Sequence, residues 1–419
     1  MKNHLIITLL LCTCLLSQRS TAAGHAADQP GQQLVGALWR ATSAEQKQLA
    51  ITQLLDGAPD THTLYQWLRA GPAWSDTAAR GQLELQREGA DGLQFPYVVL
   101  VPESYTPDKP IAVEFNLHGG VNRAKVASGV VWWRQGYDRL RDPDRIVVLP
   151  ASWNESFWWF SNQAQNLPAI LRSIKQSYNI DENQVYLTGV SDGGTGAYFF
   201  AFFQPTEWAA FLPYIGNPGV LQNPNGRVSY PLFFENLSGK PLYIVTGEND
   251  RLYPARAIKP HIDAMVEAGV EHTWVVIAGG GHNTEWLPDE AANIAAFKQN
   301  NVRDPLPEKL RWTANRTDVY NRNHWIRIDE RGQRGEPGRL TVQRAGNTIE
   351  VDARAVAAFT LLLSPEEIDF SQPVSVRVNG KVIHQALVSQ SSQTLLKWAA
   401  LDLDRSMLFT AELNLRSGE

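Results

Sequence analysis

Gly189-Val190-Ser191-Asp192-Gly193-Gly194 stands between an apolar run, Val185-Tyr186-Leu187-Thr188, and a helix-forming run, Thr195-Gly196-Ala197-Tyr198-Phe199-Phe200. A chain that turns from strand into helix within a few residues needs glycine on both sides, and the residue at the apex is left strained with its side chain raised above the sheet. Ser191 holds that apex, so its hydroxyl is a candidate nucleophile, with the positive end of the following helix beneath it. The competing reading is a glycine-rich turn with an ordinary serine; the strand before and the helix after favour the nucleophile. An alcohol attacks at neutral pH only when an imidazole takes its proton, and the imidazole must itself be oriented by a carboxylate. Both follow in the chain. Asp250 ends Gly247-Glu248-Asn249-Asp250 after the apolar run Leu242 to Thr246, and His282 lies in Gly279-Gly280-Gly281-His282-Asn283 after Trp274 to Ile277. Each loop sits at the carboxyl end of an expected strand, where α/β sheets place their sites. Glu248 is the rival acid, and capping near Pro254 is the competing role for Asp250. His261, in a helical stretch, and His272, at the start of a strand, read as structural.

Attack on a carbonyl creates an oxyanion that needs N–H donors, one of them from the residue after the nucleophile, here Asp192. The turn Leu117-His118-Gly119-Gly120 follows the buried run Ile111 to Leu117 and offers a second source at Gly119 and Gly120, where glycine permits close approach of the backbone. The plainer reading is an ordinary Gly-Gly turn, and His118 reads as shaping it rather than as a base. Among the tryptophans between this turn and the elbow, Trp158 and Trp159 are the candidates for stacking on substrate, against an alternative role in the core. Trp132 and Trp133 read as core. Three sequons, at Asn154, Asn236 and Asn315, carry no functional reading because the pattern is short.

These groups are useful only if strands and helices hold them together. Ile111 to Leu117, Ile146 to Leu149, Val185 to Thr188, Leu242 to Thr246 and Trp274 to Ile277 lack strict alternation, as in strands of a parallel sheet buried on both faces. Ala169 to Tyr178 and Ala255 to Ala268 have the length of crossover helices. The expectation is a doubly wound α/β sheet over 82–303, entered by a hairpin, Gln82 to Glu88 and Leu93 to Val101, around Ala90-Asp91-Gly92. Upstream, 33–80 reads as a helical segment with a capping box at Thr42-Ser43-Ala44-Glu45, a stop at Gly57-Ala58-Pro59, and a second helix capped by Asp60. Past Asp304-Pro305-Leu306-Pro307 the pattern alternates, and Asn379-Gly380 is a strong hairpin signal. Residues 308–419 are expected to form an all-β, sandwich-like domain.

Composition limits the function classes. Of 419 residues, 43% are hydrophobic and 19% charged, and 38 Lys plus Arg against 43 Asp plus Glu give a net charge of -5. This is a globular profile without the basic block that nucleic acid would require. The run Leu5 to Leu16, after Lys2 and before Ser20-Thr21-Ala22, reads as a cleaved leader over 1–22, too short for the roughly 20 residues of a bilayer span. A periplasmic or secreted location follows, with lipid attachment at Cys14 as a minor alternative and no stable membrane span after cleavage. Both cysteines, Cys12 and Cys14, fall in this leader, which leaves no disulfide, thiolate nucleophile or Cys-ligated zinc site in the processed chain.

With Leu117-His118-Gly119-Gly120, Tyr178-Asn179-Ile180-Asp181, Gly189 to Gly194, Asp250 and His282 in place, the chain from about Gln82 to Asn300 resembles the α/β-hydrolase superfamily. Within it the sequence is similar to secreted bacterial esterases of the polyhydroxybutyrate depolymerase-like and feruloyl esterase-like kinds. It departs from many depolymerase-like members in having no cysteine after the oxyanion turn. The resemblance implies Ser191 as nucleophile, Asp250 as acid and His282 as base, no metal or organic cofactor, and a small-molecule or polymer-linked ester as substrate. Two readings compete: a serine peptidase of the prolyl oligopeptidase-like type, for which the upstream segment is too short to form a gating propeller, and a non-catalytic surface binding module. Oligomeric state has no signature in the sequence.

Overall fold

The computed structural model describes residues 29–124, 132–134 and 137–418; the expected leader, with Cys12 and Cys14, and the side chain of Trp132 lie outside the described residues. Among the described residues three helices come first: α1 (Gln29–Arg40), α2 (Ala44–Gly57) and α3 (Thr61–Ala70). The capping box lies one residue later than expected. Ser43 Oγ accepts the Gln46 N–H and Gln46 Oε1 accepts the Ser43 N–H, so Ser43 and Gln46, not Thr42 and Glu45, close the first turn. This register turns Ala50 and Leu54 inward, and burial of that face decides between two chemically equivalent boxes. Asp60 caps α3, which ends at Gly71 with φ 76°.

The central sheet has eight strands in the order β1-β2-β4-β3-β5-β6-β7-β8. They are β1 (Gly81–Glu88), β2 (Gln94–Val101), β3 (Ile111–Leu117), β4 (Arg145–Pro150), β5 (Ile180–Val190), β6 (Ala210–Tyr214), β7 (Leu242–Gly247) and β8 (His272–Ile277). The β1–β2 hairpin and the β2–β4 pair are antiparallel; from β4 to β8 every pairing is parallel. Helices α4 (Ser161–Ser177), α5 (Asp192–Phe203) and α6 (Ala255–Glu267) cover one face, where Leu167, Ile170, Phe199 and Ile258 meet Val113, Phe115 and Leu187. Helix α7 (Leu287–Asn300) covers part of the other face through Trp286 and Ile294. From Gly193 to Phe203 every residue of α5 is buried, the pattern of a helix enclosed on all sides. This is the doubly wound α/β sheet expected of the sequence, with two differences. Strand β6 was not expected, because Pro213 in a five-residue run conceals it. Strand β8 is an edge, with partly exposed positions including Val276, rather than a strand buried on both faces.

The C-terminal region is two β-sheets, of five and four strands, closing over a shared apolar core of Trp312, Ile328, Val342, Phe359 and Val376. Strand β9 (Gly338–Ala345) alternates buried and exposed along its whole length, and Asn379 and Gly380, with φ 50° and 80°, turn the chain between β10 (Val374–Val378) and β11 (Lys381–Ala386). The region is not all-β. Helix α8 (Ser392–Asp402) interrupts it, and Leu395, Leu396 and Ala399 of α8 pack into one core with Val35, Leu38, Leu54 and Leu64 of α1 to α3.

The central sheet and the β region share buried polar contacts. Arg303 donates to Asn183 Oδ1 and pairs with Asp404 at 2.6 Å; Arg405 makes two bonds to Glu182, at 2.7 and 2.9 Å. Asn236 exchanges two bonds with the Thr313 backbone, and Lys175 donates to the Asp402 carbonyl. Burial opposes the charge of Asp404, but Arg303 and Lys175 more than offset this and hold its carboxyl well below the usual range. Removing one partner of such a pair strands a buried charge, at about 3–5 kcal/mol each. A chain ending at Asp304 is therefore expected to give insoluble protein or one without a cooperative thermal transition, as read by soluble yield and circular dichroism; a soluble, sharply melting product would contradict this.

Candidate active site

Ser191 occupies the N-cap of α5 with φ 57° and ψ -117°, a conformation costly for a residue with a Cβ. The surrounding glycines are required for space. A Cβ at Gly189 would lie 2.0 Å from the Gly193 carbonyl oxygen, and one at Gly193 would lie 2.0 Å from that of Leu117. The Ser191 N–H is held by the Tyr214 carbonyl at 2.9 Å, which fixes the turn to the end of β6.

Ser191 Oγ is 2.8 Å from His282 Nε2, and His282 Nδ1 is 2.7 Å from Asp250 Oδ2. With Nδ1 donating to the carboxylate, Nε2 is the acceptor for the serine proton. The other Asp250 oxygen accepts the N–H groups of Leu252 and Tyr253 at 2.8 and 2.9 Å, which holds the carboxylate in place, and its side chain is fully buried. Glu248 points elsewhere: it is exposed, and its Oε2 accepts the Gly279 N–H at 2.7 Å. It ties the acid loop to the histidine loop, and Gly247, where a Cβ would lie 2.6 Å from the Gly281 carbonyl oxygen, lets the two loops pack. His261 faces the Phe234 ring and His272 Nδ1 donates to the Val270 carbonyl, both away from the triad.

The oxyanion turn lies against the elbow. A Cβ at Gly119 would stand 2.9 Å from the Ser191 Cβ, and Gly120 has φ 69°. Asp192 opens α5 beside Ser191, and its carboxylate accepts the Val121 N–H at 3.0 Å, a link between turn and elbow that the sequence did not disclose. His118 is buried: Nδ1 donates to the Gly119 carbonyl at 2.8 Å and Nε2 accepts the Ser152 N–H at 3.0 Å. Burial pushes its pKa down to about 4, so it is neutral at pH 7 and holds the turn as a fixed donor and acceptor.

Trp158 and Trp159 are not in the cleft. Trp158 is fully buried, and its Nε1 donates to the His118 carbonyl at 2.9 Å. Trp159 is buried against Phe157 and its carbonyl accepts the Tyr230 hydroxyl. They follow a strand's carboxyl end as substrate-facing residues would, but helix α5 leaves a notch at Gly196 that the Trp158 side chain fills. Trp133 is half-buried against the core, as expected. The groups that wall the cleft are instead Ile215, Leu252, Tyr253 and Glu285, around Ser191 and His282 in a space of about 540 Å³. Ile215 was hidden because β6 was; Leu252 and Tyr253 were legible as neighbours of Asp250. A larger cavity of about 750 Å³ lies beside α7 over the buried Glu114–Lys298 pair and contains neither Ser191 nor His282. Among the described residues no group of three or more His, Cys, Asp or Glu is placed to hold a metal, and no helix is long and apolar enough to cross a membrane.

No protein-family profile matches the chain. A stretch of 120 residues is 27% identical to a protein named probable feruloyl esterase C of Aspergillus flavus, covering 27% of this chain and 43% of that protein, so the match spans less than half of the relative's length. Among solved structures, a thermostable esterase is similar over 53% of this chain and 63% of its own, with 21% identity and a TM-score of 0.42. A ferulic acid esterase of the anaerobic fungus Anaeromyces mucronatus is similar over 55% of this chain and 94% of its own, with 15% identity and a TM-score of 0.41. Porphyromonas gingivalis dipeptidyl peptidase 4 is similar over 52% and 35%, with 14% identity and a TM-score of 0.42.

The state of His118 gives a pH test. Its folded pKa lies below the ordinary 6.5, so its contribution to stability is complete above about 6.5, falls as the unfolded chain takes up the proton, and is lost by about 4. The urea midpoint of the wild type relative to His118→Gln, whose amide keeps a donor and an acceptor, is expected to fall between pH 6.5 and 4; parallel curves would contradict this.

Proposed function

We propose that this α/β-hydrolase, a hydrolase of the serine type, cleaves carboxylic esters through an acyl-enzyme and does so outside the cytoplasm. One observation carries the reading: an unbroken relay from buried Asp250 through His282 to Ser191, at 2.7 and 2.8 Å, opens into a cleft. Ser191 Oγ attacks the ester carbon while His282 Nε2 takes its proton, and the Asp250 carboxylate stabilises the imidazolium without accepting the proton. The oxyanion is received by the Asp192 N–H and the backbone of the Gly119–Gly120 turn. Collapse expels the alcohol with the proton returned by His282; water then repeats the sequence and releases the acid.

Ester rather than peptide hydrolysis is favoured by the resemblance of the sequence to esterases, and the helices α1 to α3 are engaged with α8. The relative named as a feruloyl esterase points the same way. Export rests on the leader-like run Leu5 to Leu16.

Ser191→Ala is expected to lower kcat on an activated short-chain ester by about 10⁴ to 10⁶ with an unchanged melting temperature. Labelling of the wild type, but not of this variant, by a fluorophosphonate is the companion measurement; wild-type protein that neither labels nor turns over esters would end the reading. Asp250→Asn is expected to cost about 10⁴ in kcat, because the amide favours the wrong imidazole tautomer, and Glu248→Gln less than about tenfold. The reverse order would reassign the acid.

A further inference from the structure

The turn assigned to the oxyanion is built on two glycines, the least restrained kind of backbone, and Gly120 takes φ 69°. Such a turn can swing its N–H groups away from the site unless its peptide planes are held. Three consecutive planes are held here. Trp158 Nε1 donates to the His118 carbonyl at 2.9 Å, which sets the plane carrying the Gly119 N–H. His118 Nδ1 donates to the Gly119 carbonyl at 2.8 Å, which sets the plane carrying the Gly120 N–H. The Asp192 carboxylate accepts the Val121 N–H at 3.0 Å and sets the third. A glycine between fixed planes cannot flip without breaking a bond to one of them.

Trp158 and His118 lie outside the elbow, whereas Asp192 belongs to it. Asp192 follows Ser191 directly and opens α5, so its own N–H is one of the first-turn donors that a helix leaves without an internal partner. One residue thus offers a donor from its backbone and, through its side chain, holds the turn that offers the other. Packing does not replace this bond. The buried Val121 side chain and the closeness of Gly119 to Ser191 place the atoms of the turn, but neither orients an N–H. A hydrogen bond from an N–H to a carboxylate is directional and charge-assisted, which suits it to that task. Donors aimed at a developing charge are effective when they are already fixed at the moment of reaction.

We infer that the Asp192 side chain is a positioning residue that fixes the two oxyanion donors relative to each other by tying the Gly119–Gly120 turn to the elbow; this rests on the ester-hydrolase reading above. The bond joins residues 71 positions apart, at the ends of two separate strands, so it sets a distance that neither loop sets alone. Its effect falls on the transition state, where the oxyanion forms, and not on binding of the ester in its ground state.

The test compares wild type, Asp192→Ala and Asp192→Asn by kcat and KM on a p-nitrophenyl ester, by affinity for a trifluoromethyl ketone, by melting temperature and by fluorophosphonate labelling. Ser191 Oγ adds to the ketone carbon while His282 takes the proton, which leaves a tetrahedral oxyanion with no group to expel and so reads the same donors. Asp192→Ala is expected to lower kcat by about 10- to 100-fold with KM within about threefold, and to weaken the ketone by a similar factor. Asp192→Asn, whose amide oxygen can accept the Val121 N–H, is expected to recover most of that loss. An alanine variant with wild-type kcat would overturn the inference, as would a loss that appears in KM instead. An asparagine variant no better than alanine would overturn it too, because the charge and not the bond would then be responsible. Variants that fail to fold would make Asp192 a packing residue, with the same result. A wild type that neither labels nor cleaves any ester would instead refute the underlying reading.

Discussion

Close packing of bare backbone around Ser191 sets the terms for the rest of the molecule. The end of β3 touches Gly193, the end of β6 touches Gly194 through Gly216, and the elbow folds onto itself at Gly189, each at separations that leave no space for a Cβ. Two strands from different parts of the chain can approach one helix terminus this closely only if the parallel sheet holds their carboxyl ends level. That levelling brings the Gly119–Gly120 turn and the end of β6 to the same serine. The triad loops follow from β7 and β8 by the same rule, and their glycines let them lie on one another.

The sequence disclosed what rests on local rules. Ser191, Asp250 and His282 were legible because each sits in a glycine-bearing loop after an apolar run, and the structure brings the three within hydrogen-bond reach. The Asn379-Gly380 turn and the Asp60 cap were legible because their chemistry is confined to a few residues. What escaped depends on long-range packing. Trp158 has the position of a substrate-facing residue, but the notch at Gly196 that receives it cannot be read from neighbouring residues. The capping register was settled by which face α2 buries, and β6 was concealed by its proline. Helix α8 lay within a run of strands, and the core it completes is supplied by residues more than three hundred positions earlier.

The polar contacts between the sheet and the β region give that region a structural part in holding the elbow. Glu182 and Asn183 lie in β5, the strand that carries Ser191 at its far end, and both are held from outside the sheet by Arg405 and Arg303. Asn236, fully occupied by Phe202 and Thr313, fixes the end of α5 to the first sandwich strand in the same way. The elbow is thus braced at the base of its strand and at the far end of its helix, which suits a turn whose own conformation is strained.

The union of α1 to α3 with α8 also bears on how the chain reaches its native state. Thr61 and Ser392 bond at 2.8 Å across 331 positions, and the apolar core that α1 to α3 begin among themselves is completed by α8. The core of α1 to α3 is completed by a helix more than three hundred positions later in the chain, so this core does not close from local contacts alone. Closure over such a separation is entropically slow, and contacts this remote in sequence delay folding. Helices α1 to α3 and α8 act as a clasp: until they meet, the apolar core that they share is incomplete, and opening it would expose both partners at once.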